Sequence, residues 1–269
     1  MSFLSYFYWE DPYEEAATMI RYREGPMESF GIITIFLIGA TVVAISYVLD
    51  HVWAATIPSR TLYYILRAPG VILHECAHMA GCLITGARIR HVVFFSQEGG
   101  SVTYIRPLIP YLGDVIISTA PLFIIPLVLS GVTWVFSTHL GCIFPAFPPT
   151  IGSFDALLAL GEEIIDTFHT NLAARFNGWF LLYIYLTISF VLSIAPSRQD
   201  MKNAAVGIFL MSLAGIMAVL SGIPPATDLI TEFLRLLEIG FTLGLVYGLI
   251  ALLISSPLIL MYGLSRTRQ

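Results

Sequence analysis

The sequence predicts an all-α, polytopic membrane protein, and three observations carry that expectation. Hydrophobic residues make up 57% of the 269 positions and charged residues only 12%, about half the charged share of a soluble domain. Six separate stretches stay apolar for the ~20 residues that a helix needs to cross a hydrocarbon core. Between the second and third of these the pattern switches to period two, which places a small β-hairpin in an otherwise helical chain. No internal repeat and no Pro/Gly/Ser linker divides the sequence, so a single membrane-embedded domain is expected over 1–269, with an N-terminal segment 1–29 and a transmembrane core 30–264.

The opening segment carries Glu10, Asp11, Glu14, Glu15 and Glu24 among aromatics. A cleaved signal peptide begins basic and has a short apolar core, so the first span is expected to be retained. The six spans fall at about 30–48, 62–85, 115–136, 178–195, 204–223 and 240–264. Basic residues prefer the cytoplasmic face, and placing the N-terminus there puts nine of the 13 Lys and Arg on that side. Six spans then return the C-terminus to the cytoplasm as well. Three cysteines form neither a disulfide framework nor a Cys-x-x-Cys pair. The net charge of −5 offers no basic stripe, which argues against a nucleic-acid partner. Oligomeric state leaves no mark in the sequence.

Span two holds the residues around which the chemistry is organised: His74-Glu75-Cys76-Ala77-His78. Residues four apart share a helix face, so the two imidazoles point the same way and can grip one metal ion. Glu75, beside them and not itself a ligand, is placed to take a proton from a metal-activated water, the arrangement of a zinc peptidase. Ionisable groups in hydrocarbon are costly and are by default functional, although buried, hydrogen-bonded histidines with Glu75 paired to one of them would account for the same pattern. Pro69-Gly70 interrupts the run ahead of the motif, so the motif helix is expected to start there and to stop near Gly86. That puts His78 about 12 Å and His74 about 18 Å from its inner end.

After Gly86, Ile89, His91, Val93 and Phe95 alternate with Arg88, Arg90 and Val92. Gln97-Glu98-Gly99-Gly100 then reads as a turn and 102–105 as a second strand. His91, among surface arginines, is read as solvated and not as a ligand. The stretch 153–176 is apolar mainly along one helical side and is expected to lie along an interface. Its Glu162, Glu163 and His169 read as a solvated acidic face.

A catalytic zinc takes a third protein ligand and keeps one open position. Asp200, just beyond Pro196 at the end of span four, is the candidate, and it would serve equally as the N-cap of span five. As a ligand it has a depth problem: a helix continued to Ala195 leaves it about 12 Å below His78, so the segment 196–200 must fold back.

His74, Glu75 and His78, the alternating stretch after Gly86-Ala87-Arg88-Ile89, the Ala120-Pro121-Leu122 run and the aspartate beyond span four together resemble the site-2 protease family of intramembrane metalloproteases, over about residues 68–200. In this chain Ser193 stands where that family usually has asparagine, and no Leu-Asp-Gly is present. The resemblance implies a minimal member that binds one Zn²⁺ through His74, His78 and Asp200, uses Glu75 as the catalytic base, and cleaves a membrane-protein substrate in or near its transmembrane segment. Two other classes fit the same helix. One is a CAAX-processing type of membrane hydrolase with Glu162 or Glu163 as third ligand, and the other is a membrane scaffold or transporter that binds metal without catalysis.

Overall fold

The computed structural model describes residues 29–94, 100–148, 150–151 and 153–266. Among the described residues the fold comprises seven α-helices, a short π-helical segment (Thr170–Ala174) and a two-stranded antiparallel sheet: α1 (Ser29–Thr56), α2 (Arg60–Thr85), β1 (Arg88–Val93), β2 (Ser101–Ile105), α3 (Leu112–His139), α4 (Phe154–His169), α5 (Gly178–Val191), α6 (Arg198–Leu220) and α7 (Pro224–Arg266). Four of them, α1, α3, α6 and α7, are long and apolar enough to cross a membrane, and α5 is apolar but shorter. The fifth long helix, α2, is diluted by Arg60, Arg67, His74, Glu75 and His78. Leu, Ile and Phe side chains stand exposed along most of these helices. A soluble protein rarely shows such extended apolar surface, whereas a lipid-facing one does.

Helix directions follow from who touches whom. Ile65, Gly70 and His74 of α2 meet Tyr185, Ser189 and Ser193 in turn, so α2 and α5 run parallel. His78 and Gly81 meet Ile117, and Thr85 lies near Gly113, so α3 runs antiparallel to α2. Helix α7 follows both α3, with Phe123 on Phe241 and Pro126 by Gly244, and α1, with Gly39 by Phe241, Ile45 by Gly248 and Trp53 bonded to Ser255. Small residues at Gly39, Gly244 and Gly248 let these helices close up, as membrane helix pairs do. The buried core lies where α1, α3, α4, α5 and α7 converge, around Leu49, Ile125, Leu129, Val191, Val246 and Tyr247.

Two expectations about the path of the chain change. Helix α2 does not start at Pro69; it begins at Arg60, with Ser59 as N-cap, and carries the proline inside. Proline 69 has no N–H for the Ile65 carbonyl, and the Tyr185 hydroxyl donates to that carbonyl instead (3.2 Å). The next amide, Gly70 N–H, donates to Ser189 Oγ (2.9 Å). The neighbouring helix thus completes the hydrogen bonding that the proline disturbs. The second change concerns α6. It starts beside His74 and His78 and continues in the direction of α5, past Tyr111, against which Gly207 is pressed, toward the end of the bundle where the β-hairpin sits. Helix α7 therefore begins at that end, and its 43 residues reach about 65 Å. With α1 and α7 parallel, the described chain begins and ends at opposite ends of the bundle, not at the same end as six full crossings require.

Other local expectations hold. Gly86, at φ 69°, caps α2 in the left-handed conformation. Strands β1 and β2 pair as a hairpin with an irregularity between Ile89 and His91, while the turn expected at Gln97 to Gly99 lies outside the described residues. Ser153 caps α4, which seats Leu160 and Ile164 in the core and leaves Glu162, Glu163 and His169 exposed.

Candidate metal centre

Helix periodicity brings the Nε2 atoms of His74 and His78 to 3.1 Å from each other. Each ring is oriented from behind. The Nδ1–H of His74 donates to the Ser193 carbonyl (2.6 Å) at the end of α5, and the Nδ1–H of His78 donates to the Ile117 carbonyl (2.8 Å) in α3. A neutral imidazole whose Nδ1 carries the proton presents a lone pair at Nε2. Two such lone pairs facing each other at 3.1 Å repel unless a cation or a proton lies among them.

Asp200 supplies the third donor. Its Oδ1 is 3.5 Å from His78 Nε2 and its Oδ2 is 3.9 Å from His74 Nε2. The three side chains place one ligand atom each within 4.8 Å of one another, and they are the only such His/Cys/Asp/Glu group among the described residues. This group can hold a metal ion.

The depth problem disappears because α5 stops early. It ends at Val191, four residues short of the expected 195, and the turn that follows stays inside the bundle, with the Ala195 amide donating to Ser46 Oγ (2.9 Å). Helix α6 then starts at the level of the histidines, and no fold-back is needed. Asp200 is not the N-cap. That position belongs to Ser197, whose Oγ accepts from the Asp200 amide while Asp200 Oδ2 accepts from the Ser197 amide (2.8 Å) and hydroxyl (2.6 Å). This capping box holds the carboxylate's rotamer, so Asp200 both caps its helix and faces the imidazoles.

Glu75 is buried, lies within electrostatic reach of His78 and Asp200, and keeps Oε2 without a hydrogen-bond partner. The backbone at Gly100, just ahead of β2, lies against its carboxylate: a Cβ there would come within 2.5 Å of Glu75 Cγ and Oε1. Any side chain at position 100 would therefore push the Glu75 carboxylate out of this position. His91 is exposed on β1, and Glu162 and Glu163 are exposed on α4; none joins the group.

The carbonyls of Ser193 and Ile117 have no sequence signature, and helix packing alone brings them to the rings. Ser197 did have one, since Ser-x-x-Asp ahead of an apolar run is a capping signal. Comparison with known proteins adds nothing to these observations: no family model, curated protein or solved structure matches the chain.

Proposed function

We propose that the protein is an intramembrane zinc metalloprotease that cleaves a membrane-protein substrate in or near its transmembrane segment. The observation that carries this reading is the convergence of His74, His78 and Asp200 on one point, beside a buried carboxylate that is not part of the ligand set. Around a tetrahedral ion with ligands at about 2.0–2.1 Å, donor atoms stand about 3.4 Å apart; His78 Nε2 lies 3.1 Å from His74 Nε2 and 3.5 Å from Asp200 Oδ1, while the Asp200 oxygen facing His74 is Oδ2, at 3.9 Å. Two imidazoles and one carboxylate also form a three-ligand set that leaves a position open. What favours Asp200 over the glutamates of the CAAX-processing alternative is position, because Glu162 and Glu163 stand exposed on α4, outside the group.

Zinc, when bound, supplies a Lewis acid that polarises a scissile carbonyl and makes water acidic enough to react near neutral pH. The protein does the rest. His74 and His78 hold their Nε2 lone pairs in place through carbonyl-anchored Nδ1–H groups, and Asp200 balances the positive charge. Glu75 Oε2 takes the proton from the attacking water and returns it to the leaving amine. The hairpin backbone at Gly100 covers the carboxylate and limits bulk water around it. Arg88, Arg90 and Arg106 on the hairpin and Lys202 in the first turns of α6 favour the cytoplasm for this end of the bundle, which puts the end of α7 on the opposite side.

The test is hydrolysis of a single-pass model substrate by purified protein and by Glu75→Gln. The glutamine keeps the side-chain size but cannot accept a proton, so cleavage falls by orders of magnitude while one zinc per chain stays bound. A metal-loaded protein with equal activity in both forms would remove the protease reading. Zinc binding with no Glu75-dependent cleavage of any substrate would favour the scaffold or transporter.

A further inference from the structure

A second polar site lies one helical turn from the metal centre. Between β2, the start of α3 and the start of α6 is a cavity of about 350 Å³, lined by Val102, Thr103, Tyr104, Arg106, Asp114 and Asn203. Two helices independently give its offset along their axes. Asp114 precedes Ile117, whose carbonyl holds His78, by three residues, and Asn203 follows Asp200 by three. Three helical residues rise about 4.5 Å, so the cavity is offset by that much toward the hairpin end.

Its floor accepts hydrogen bonds. The half-buried Tyr104 hydroxyl donates to Asp114 Oδ1 (3.0 Å), and burial together with that bond pushes the Tyr104 phenol well above its ordinary pKa, so it stays a donor. Asp114 Oδ2 makes no hydrogen bond or ion pair among the described residues. Asp114 sits in the first turn of α3 without capping it, since that N-terminus has no side-chain cap at all. Asn203 Oδ1 is taken by Gln199 Nε2 (2.8 Å). Arg106 is exposed and makes no ion pair with Asp114, so it marks the rim and leaves the carboxylate unneutralised.

We infer that this cavity is a substrate subsite that takes a Lys or Arg side chain lying within two residues of the cleaved bond, with Asp114 as its counter-charge. The inference rests on the protease reading given above. An extended peptide advances about 3.3 Å per residue, so a side chain one or two positions from the reacting carbonyl matches that axial offset. Membrane proteins concentrate Lys and Arg where a span meets the cytoplasm, so a basic flank is an address that the bilayer itself supplies. Held on Asp114, it sets the register of the cut.

Two measurements on the full-length zinc-loaded protein test this. In the first, model single-pass substrates carrying Lys or Gln at the two positions on either side of the cut are cleaved by wild type, Asp114→Asn and Tyr104→Phe. Wild type should prefer Lys by about tenfold at one position, the scale of a partly desolvated charge pair. Asp114→Asn keeps an acceptor for Tyr104 but loses the charge, and should drop the preference to near one. Tyr104→Phe loosens the hairpin but keeps the carboxylate, and should retain it. Asp114→Lys should turn the preference toward Glu. In the second measurement, labelled Lys and Gln peptides are titrated onto the Glu75→Gln protein with and without Asp114→Asn. A tenfold weakening confined to the Lys peptide is expected. Glu75-dependent cleavage that ignores Lys and Gln would overturn the subsite while leaving the protease reading intact. Absence of any cleavage would overturn the protease reading, and equal binding of the two peptides would then overturn the subsite on its own.

Discussion

Helices α3 and α6 are similarly apolar spans of 28 and 23 residues, yet they behave differently. Helix α3 buries thirteen residues among its neighbours, whereas α6 buries only Ala204 and Gly207, both near its start. The difference lies in what organises each contact. Around the candidate metal centre, His74 and His78 of α2 are hydrogen-bonded to backbone carbonyls at Ser193 and Ile117, and Asp200 of α6 lies 3.5–3.9 Å from the two rings. Beyond Gly207, α6 offers Phe209, Leu213, Ile216 and Met217 to its surroundings, and a Cβ placed on Gly215 would meet only Ile230, at 4.0 Å. In hydrocarbon apolar surface gives little reason for helices to associate, so close packing and polar contacts decide which helices join.

Mutations can break that contrast or sharpen it. The largest effect is expected at the centre itself. His78→Ala removes a ligand and should abolish zinc retention and cleavage together, as read by elemental analysis and substrate turnover. Chelation should lower the thermal midpoint of wild type but not of this variant. Asp200→Asn keeps the bond from the Ser197 amide but loses the anionic oxygen, so zinc affinity should fall steeply in a titration. Ser197→Ala frees the carboxylate that Ser197 orients, and should cost about 1 kcal/mol of stability and 10–100-fold in zinc affinity. Unchanged affinity in both variants would remove Asp200 from the ligand set.

The same substitution in the two regions makes the comparison direct. Gly70→Ala would drive a methyl into the Ser189 carbonyl oxygen, part α2 from α5 and disturb the His74–Ser193 bond, so stability and zinc binding should both fall. Gly215→Ala meets only ordinary contact, and by removing a helix-interior glycine should stabilise by up to about 1 kcal/mol in a denaturation series. The smallest expected loss is at Tyr185→Phe, which deprives the Ile65 carbonyl of its donor at a cost of about 1 kcal/mol. If Gly215→Ala were the more damaging of the two glycine variants, the packing contrast would be wrong.

Much of the centre was legible because it is local. His74 and His78 share a face by helical period, Gly86 stops the helix, and β-branched alternation marks the hairpin. Asp200 was legible as a residue type beyond a proline, but not as a position. Its depth depends on α5 ending at Val191, and no punctuation before Pro196 shows that. Hydropathy likewise could not show that α6 runs on toward the hairpin end instead of crossing back. A window average reports that a segment tolerates lipid, not which way it runs, and direction came from Gly207 against Tyr111. Pro69 misled for a related reason, since the partners that let it sit inside α2 are on another helix.

That last arrangement bears on how the protein is made. Until Tyr185 is in place, α2 in a bilayer has a carbonyl at Ile65 that Pro69 cannot satisfy, a group that hydrocarbon leaves open. The imidazole of His74 waits for Ser193, 119 positions further along the chain. A ribosome must therefore deliver α5 before the second helix can settle, and the start of α6 before any ion is gripped. On the proposed reading, metal loading would be a late event in biogenesis, and a chain arrested before Tyr185 would present quality control with an unfinished helix and no assembled metal site.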